Sequence, residues 1–206
     1  MRGTVPQRLR LHGYAVSNYF NIVRAALIEK EAAFEIVETR ASQARQFLAV
    51  SPMGKIPVLE TPEGWIAETV AILEYLEELI ESPPLHPADR FLRARGRQII
   101  NVVQMYVEAP ARTLYPGVFM GGSNSEETVA AARAVLDRST GALARLVRPE
   151  PFLLGPALTF ADLFTFYCLD LVDRVTRFVY DRSIIEEVDG LGEWRNHMAV
   201  RKSSQT

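Results

Sequence analysis

Cysteine occurs once in this chain, at Cys168, so no internal disulfide can form and no multi-thiol metal centre can be built. Histidine is nearly as scarce: His12, His86 and His197 show no zinc-binding spacing. Neither sign of charge is in excess. The 23 Lys and Arg face 25 Asp and Glu, a net charge of −2, and the basic footprint that nucleic acid demands is missing. No apolar run approaches the roughly 20 residues of a membrane span. The opening Met1-Arg2-Gly3-Thr4-Val5-Pro6 lacks the apolar stretch of a signal peptide. Together these absences lead us to expect a cytoplasmic protein with no metal, no membrane association and no nucleic-acid partner.

What is present is an ordinary globular composition, 48% hydrophobic and 23% charged over 206 residues, enough for one large or two small domains with a sizeable core. Arg8-Leu9-Arg10-Leu11-His12 alternates and reads as a strand, broken by Gly13. Tyr19, Ile22, Val23, Ala26, Leu27 and Lys30 follow helical spacing, apolar at all positions but the last. Phe34-Glu35-Ile36-Val37 is a second strand, and residues 42–50 form a short irregular helix. Val58-Leu59-Glu60 and Trp65-Ile66-Ala67 flank a hairpin turn at Pro62-Glu63-Gly64. Thr69, Ile72, Leu73, Leu76, Leu79 and Ile80 line another helix. Strand, helix, strand implies a parallel pair, and the hairpin adds antiparallel strands.

Ser82-Pro83-Pro84-Leu85-His86-Pro87 cannot continue a helix and reads as a linker. Beyond it the pattern is helical throughout. A long helix spans Leu92 to Tyr106, with Pro110 and Pro116-Gly117 bending or ending it. Others run from Val129 to Leu146 and from Leu163 to Val175, with shorter helices over 183–188 and 192–200. Thr159 and Asp162 form a capping box ahead of an apolar run, a structural feature. Cys168 falls in that run and reads as an inert core residue.

Three places carry chemistry. Pro57 heads a short apolar run, where a residue without an N–H belongs at an edge, a strand start or a turn. Glu68-Thr69 opens a helix that the Thr69 hydroxyl can cap, and its first turn offers free N–H groups and positive dipole character to an anion. Ser17 precedes the first helix, where it serves either as a cap or as a hydroxyl donor to a ligand anion.

The Ser17 segment followed by Val23-Arg24-Ala25-Ala26-Leu27, the Lys55-Ile56-Pro57 turn, the Glu68-Thr69 pair and the Thr159-Phe160-Ala161-Asp162 box occur in this order over nearly the whole chain. In this the chain resembles the cytosolic glutathione transferase superfamily, in its bacterial, serine-loop, theta/zeta-like form. The resemblance implies an α/β plus all-α protein. A thioredoxin-like glutathione-binding domain over residues 1–82 holds a mixed four-stranded sheet. A linker follows at 83–88, then an all-helical domain at 89–206 that contributes the electrophile pocket.

It further implies that Ser17 holds the glutathione thiolate, with Tyr14 and Tyr19 as rival phenols. Lys55 would pair with the glycyl carboxylate. Ile56, turned outward by a cis Pro57, would pair with the peptide backbone of glutathione. Glu68 and Thr69 would take the γ-glutamyl ammonium and carboxylate. The family usually has serine where Thr69 stands, a mild departure that keeps the hydroxyl. Its thiol-exchange members carry a loop cysteine that is missing here. Tyr14, Met105, Tyr106, Tyr115 and Phe119, with Met120, would line the electrophile pocket. Glutathione is the implied co-substrate and a homodimer the implied assembly. The same motifs also suit glutathione-dependent isomerisation, dehalogenation, ether cleavage or peroxide reduction, and a non-enzymatic binding or regulatory protein on the same fold. The polar ending Arg201-Lys202-Ser203-Ser204-Gln205-Thr206 suggests that a tail closing over the pocket is absent or short.

Overall fold

The computed structural model describes residues 9–205. Arg8, expected in the first strand, the opening residues read for a signal peptide, and Thr206 lie outside this range. The chain divides into two compact units, residues 9–86 with 201–205, and Pro87–Val200.

The first unit contains β1 (Leu9–Gly13), α1 (Asn18–Glu29), β2 (Phe34–Glu38), α2 (Arg45–Leu48), β3 (Val58–Thr61), β4 (Gly64–Ala67) and α3 (Thr69–Leu79). Its four strands form one sheet in the order β2-β1-β3-β4. β1 runs parallel to β2 and antiparallel to β3, and β4 closes the hairpin with β3. This is the expected mixed sheet.

Side-chain chemistry fixes its register. Leu9 and Leu11 are buried with Phe20, Ile22, Val23 and Leu27 of α1 and with Ile72, Leu73 and Leu76 of α3. A one-residue slip of β1 would turn its leucines out to the polar face. That opposite face carries a cross-strand row, Glu35, Arg10, Glu60 and Trp65. Arg10 Nη1 donates to Glu60 Oε2 at 2.9 Å and Arg10 Nε lies 3.5 Å from Glu35. His12 Nε2 is also 2.9 Å from Glu60, and its ring centroid is 4.9 Å from that of Trp65.

Lys30, the polar exception on the first helical face, is fully buried. Its Nζ lies 2.6 Å from Glu77 Oε2 and donates to the carbonyls of Ile80 at 2.7 Å and Pro83 at 3.1 Å. Glu77 in turn accepts the N–H groups of Leu85 and His86. One ion pair thus joins the end of α1, the end of α3 and the linker.

The second unit contains α4 (Arg90–Val102), α5 (Ala109–Arg112), α6 (Tyr115–Phe119), α7 (Glu126–Leu146), α8 (Phe160–Tyr180) and α9 (Leu191–Ala199). The side chain of Asp89 caps α4 and that of Ser125 caps α7. Of the two outcomes expected at Pro110, a bend or an end, the helix does not end: it runs through a π-helical stretch, Val103–Glu108, into α5, with Pro110 in the opening turn of α5. Proline has no N–H for the carbonyl one turn back and collides with it in a regular helix. The widened turn just upstream is the local adjustment that accommodates it.

Asp162 anchors the start of α8. Its Oδ2 accepts the N–H and hydroxyl of Thr159 at 2.9 and 2.7 Å, and its Oδ1 accepts from Leu153 N at 2.8 Å and Trp194 Nε1 at 3.0 Å. Burial pushes its carboxyl above the ordinary aspartate value, against the pull of these four bonds. The helix expected over 183–188 is not formed; the segment is a series of turns. Asp173 Oδ1 takes the hydroxyl of Ser183 at 2.6 Å and the N–H of Ile185, so the backbone is satisfied by a side chain rather than by a continuing helix. Cys168 is fully buried in α8. Among the described residues no helix is long and apolar enough to cross a membrane.

Candidate active site

The sheet brings the predicted residues of the first unit to one end. His12, Val58 and Ala67 lie in one cross-strand row. The next residue outward on each strand is Gly13, Pro57 or Glu68. The loop to Ser17, the Lys55-Ile56-Pro57 turn and the start of α3 therefore leave the sheet side by side. Strand ends of this kind, with a helix N-terminus among them, are where α/β folds bind small anionic ligands.

Gly13 starts the first loop with φ of +153°, and a Cβ there would fall 2.3 Å from the Phe20 ring. A turn follows in which Ser17 N–H donates to the Tyr14 carbonyl at 3.1 Å. Ser17 is the N-cap of α1, its Oγ accepting from Phe20 N–H at 3.3 Å. The cap uses only the oxygen as acceptor. The hydroxyl hydrogen is left to donate, so capping and thiolate contact are compatible in one residue. Of the rival phenols, Tyr14 carries the Arg40 guanidinium over its ring, 5.7 Å from the centroid; Tyr19 is half-buried within α1.

The second segment is shaped by Ser51, which sequence reasoning missed. Its buried Oγ donates to the Lys55 carbonyl at 2.7 Å and accepts the Lys55 N–H at 3.0 Å. Gly54, at φ +64°, returns its carbonyl to Ser42 N–H, and a Cβ would lie 2.3 Å from the Ser42 oxygen. The Ile56–Pro57 bond is cis, the expected isomer. The Lys55 side chain is exposed and forms no ion pair among the described residues.

The third segment corrects one expectation: Glu68, not Thr69, is the N-cap of α3, and Thr69 is its first helical residue. The cap carbonyl takes the N–H of Ile72 at 3.0 Å. Glu68 adopts φ 68° and ψ 116°, a conformation that costs a non-glycine residue about 1–3 kcal/mol and is concentrated at functional sites. Its carboxylate is exposed and unpaired among the described residues, while Thr69 is buried. The end of the sheet thus offers an unpaired ammonium, an unpaired carboxylate, a hydroxyl donor and a helix start.

The residues predicted for an electrophile pocket lie, apart from Tyr14, in the second unit. Met105, Tyr106 and Phe119 are exposed on its surface at 58%, 51% and 44%. Tyr115 is different. It is buried, its hydroxyl donates to the buried Glu108 at 3.2 Å, and its ring packs edge-on against Phe119 at 5.2 Å. Arg112 pairs with Glu108 and stands over the Tyr115 ring, 5.0 Å from its centroid. Burial, then the Glu108 charge, push the phenol well above its ordinary value.

A unit built on a mixed four-stranded sheet and an all-helical unit are the two parts of the glutathione transferase fold, and comparison with known proteins agrees. Residues 11–84 match the family model for the glutathione S-transferase N-terminal domain and residues 126–197 that for the glutathione S-transferase C-terminal domain. A glutathione S-transferase of Pseudomonas putida strain F1 is 43% identical over 171 residues, which is 83% of this chain and 78% of that protein. The chain belongs to the glutathione S-transferase family. A solved glutathione S-transferase from Rhodospirillum rubrum F11 superposes with a TM-score of 0.79 at 26% identity, covering 96% of this chain and 90% of that one. A second, from Methylobacterium radiotolerans in complex with glutathione sulfonate, gives a TM-score of 0.78 at 24% identity, covering 96% and 93%.

Proposed function

We propose that this protein binds glutathione at the strand-end site of its first unit, stabilises the thiolate beside Ser17 and delivers it to an apolar electrophile. The observation that carries the reading is the convergence of the Ser17 loop, the Lys55-Ile56-Pro57 turn and the Glu68-Thr69 helix start at one end of the sheet. Their chemistry fits the two ends of a γ-glutamyl tripeptide. Glu68 accepts from the α-ammonium, while Thr69 and the free N–H groups of α3 donate to the α-carboxylate beside it. Lys55 takes the glycyl carboxylate, and Ile56 offers main-chain groups for strand-like pairing. The cysteinyl sulfur is left toward Ser17, whose hydroxyl stabilises the charged form and lowers the thiol pKa.

The thiolate lone pair forms the new C–S bond while the leaving group departs with the electrons of the bond it breaks. The protein supplies orientation and charge stabilisation. We further propose a cytoplasmic homodimer acting in detoxification.

Calorimetry with glutathione tests the reading. Binding is expected for the wild type, weakened by Glu68→Ala and by Thr69→Ala, each by about 1–3 kcal/mol for a lost charged hydrogen bond. No binding by the wild type at millimolar glutathione would overturn it. A panel of aryl halides, activated alkenes, aryl ethers, haloalkanes and peroxides then identifies the electrophile class.

A further inference from the structure

Asn21 stands one helical turn past Ser17 and is 8% exposed. Its backbone N–H donates to the Ser17 carbonyl at 3.0 Å, the ordinary first bond of the helix. Its side chain reaches back further: Nδ2 donates to the carbonyl of Ala15 at 2.8 Å. The loop before Ser17 has little else to hold it. Ala15 is exposed and the Val16 side chain is 81% exposed, so neither is packed in place. Among the described residues the remaining ties are the Ser17–Tyr14 turn bond and the Arg40 guanidinium over the Tyr14 ring.

The other half of the same amide is the informative part. Asn21 Oδ1 is buried and takes no hydrogen bond among the described residues. A buried unpaired amide oxygen is unfavourable, and a leucine of similar size would occupy the site without it. Fold stability therefore argues against asparagine here, and the bond to Ala15 is what the asparagine adds.

We infer that Asn21 is a positioning residue for the thiolate loop: by holding the Ala15 carbonyl against α1, it sets the peptide planes leading into Ser17 and hence the direction in which the Ser17 hydroxyl is presented. The inference rests on the reading of Ser17 given above. It costs the fold an orphaned oxygen and returns a fixed loop, in line with the general need for a supported donor at a reacting atom.

Asn21→Leu, Asn21→Ala and Ser17→Ala, and the double variant Ser17→Ala/Asn21→Ala, test it. The readouts are ultraviolet titration of enzyme-bound glutathione, calorimetric glutathione affinity, thermal stability and kcat/KM with chlorodinitrobenzene. Asn21→Leu is expected to match or exceed wild-type stability and to keep glutathione affinity. Its bound-thiol titration should move to higher pH and its kcat/KM fall by about tenfold or more. Asn21→Ala gives the same functional readout should leucine prevent folding. Because Asn21 acts through Ser17, the double variant should be no slower than Ser17→Ala alone.

A wild-type thiol titration in both Asn21 variants, while Ser17→Ala shifts it, overturns the inference and leaves the reading of Ser17 intact. A double variant whose losses simply add also overturns it, since Asn21 would then act elsewhere. If Ser17→Ala itself leaves the titration unmoved, the reading of Ser17 fails and the inference falls with it.

Discussion

Arg201 grips Glu29 side-on, with one edge of its guanidinium: Nε donates to Oε1 at 2.9 Å and Nη2 to Oε2 at 2.7 Å. Ser203, fully buried in the 3₁₀ turn Lys202–Ser204, adds its hydroxyl to Oε1 at 2.5 Å. Glu29 is the last residue of α1, where a carboxylate opposes the helix dipole. The paired guanidinium reverses that penalty, and the chain after α9 is thereby fastened to the first unit.

Burial raises the Glu29 carboxyl, but the bonds from Arg201 and Ser203 outweigh it, and the group sits below the ordinary glutamate value. A native pKa below the unfolded one gives stability that is present above the unfolded value and lost as pH falls through the native one. Arg201→Ala is expected to lower stability near neutral pH by about 1.5–3 kcal/mol, the worth of a hydrogen bond to a charged group. The gap between variant and wild type should close as pH falls through and below the glutamate range. Urea unfolding at a series of pH values measures it, and a gap that stays constant in acid would assign the effect to packing instead.

The Lys30–Glu77 pair gives a second stability prediction. Lys30 is fully buried, so removing its partner leaves an uncompensated charge, a loss of about 3–5 kcal/mol by the precedent of buried pairs. Glu77→Leu should reach that range, because it also strips the acceptor from the Leu85 and His86 N–H groups. Lys30→Met/Glu77→Leu should recover part of it, since no buried charge then remains, though the two N–H groups stay unpaired. Equal losses in the single and double variants would mean that the linker contacts, not the ion pair, carry the stability. Denaturant midpoints at fixed m-value separate these outcomes.

Much of this fold was legible in the residues because its elements are strongly periodic. The alternation of Leu9, Arg10, Leu11 and His12 became an in-register face of leucines and a face of charges. Pro83, Pro84 and Pro87 fall in a stretch without helix between α3 and α4. Lys30 was legible only as an anomaly on an apolar face; its partner lies 47 positions away at Glu77, a distance no local pattern spans. The π turn at Val103–Glu108 was hidden for a related reason, since the sequence marks Pro110 as a breaker but not the way the preceding turn yields to it. Ser17, Pro57 and Glu68 could be singled out because each sits at an element boundary with its own chemistry. Thr69 was read as the cap because a hydroxyl is the usual one, whereas backbone geometry gave that position to Glu68. Asn21 and Ser51 were missed because each acts by holding a backbone carbonyl, and sequence does not show which carbonyls need holding.

Ser17 carries two functions that substitution can separate. Its oxygen caps α1 by accepting from Phe20 N–H, and in the proposed mechanism its hydrogen is donated to the glutathione sulfur. Alanine removes both: stability should fall by about 1 kcal/mol, and kcat/KM by roughly 10- to 150-fold if a charged hydrogen bond of about 1.5–3 kcal/mol is lost from the transition state. Glycine removes the hydroxyl but is a tolerated cap, costing only a few tenths of a kcal/mol. Ser17→Gly should therefore be nearly as stable as the wild type and as slow as Ser17→Ala. Threonine keeps the cap and the donor and should restore both. Glutathione affinity should change little in all three, because Lys55, Glu68 and Thr69 hold the other groups of the ligand. The thiol titration of bound glutathione decides the assignment: it should shift upward in Ser17→Ala and Ser17→Gly and return in Ser17→Thr. A titration that responds instead to Tyr14→Phe or Tyr19→Phe, with Ser17→Gly at the wild-type value, would give the thiolate to a phenol and leave Ser17 as a helix cap alone.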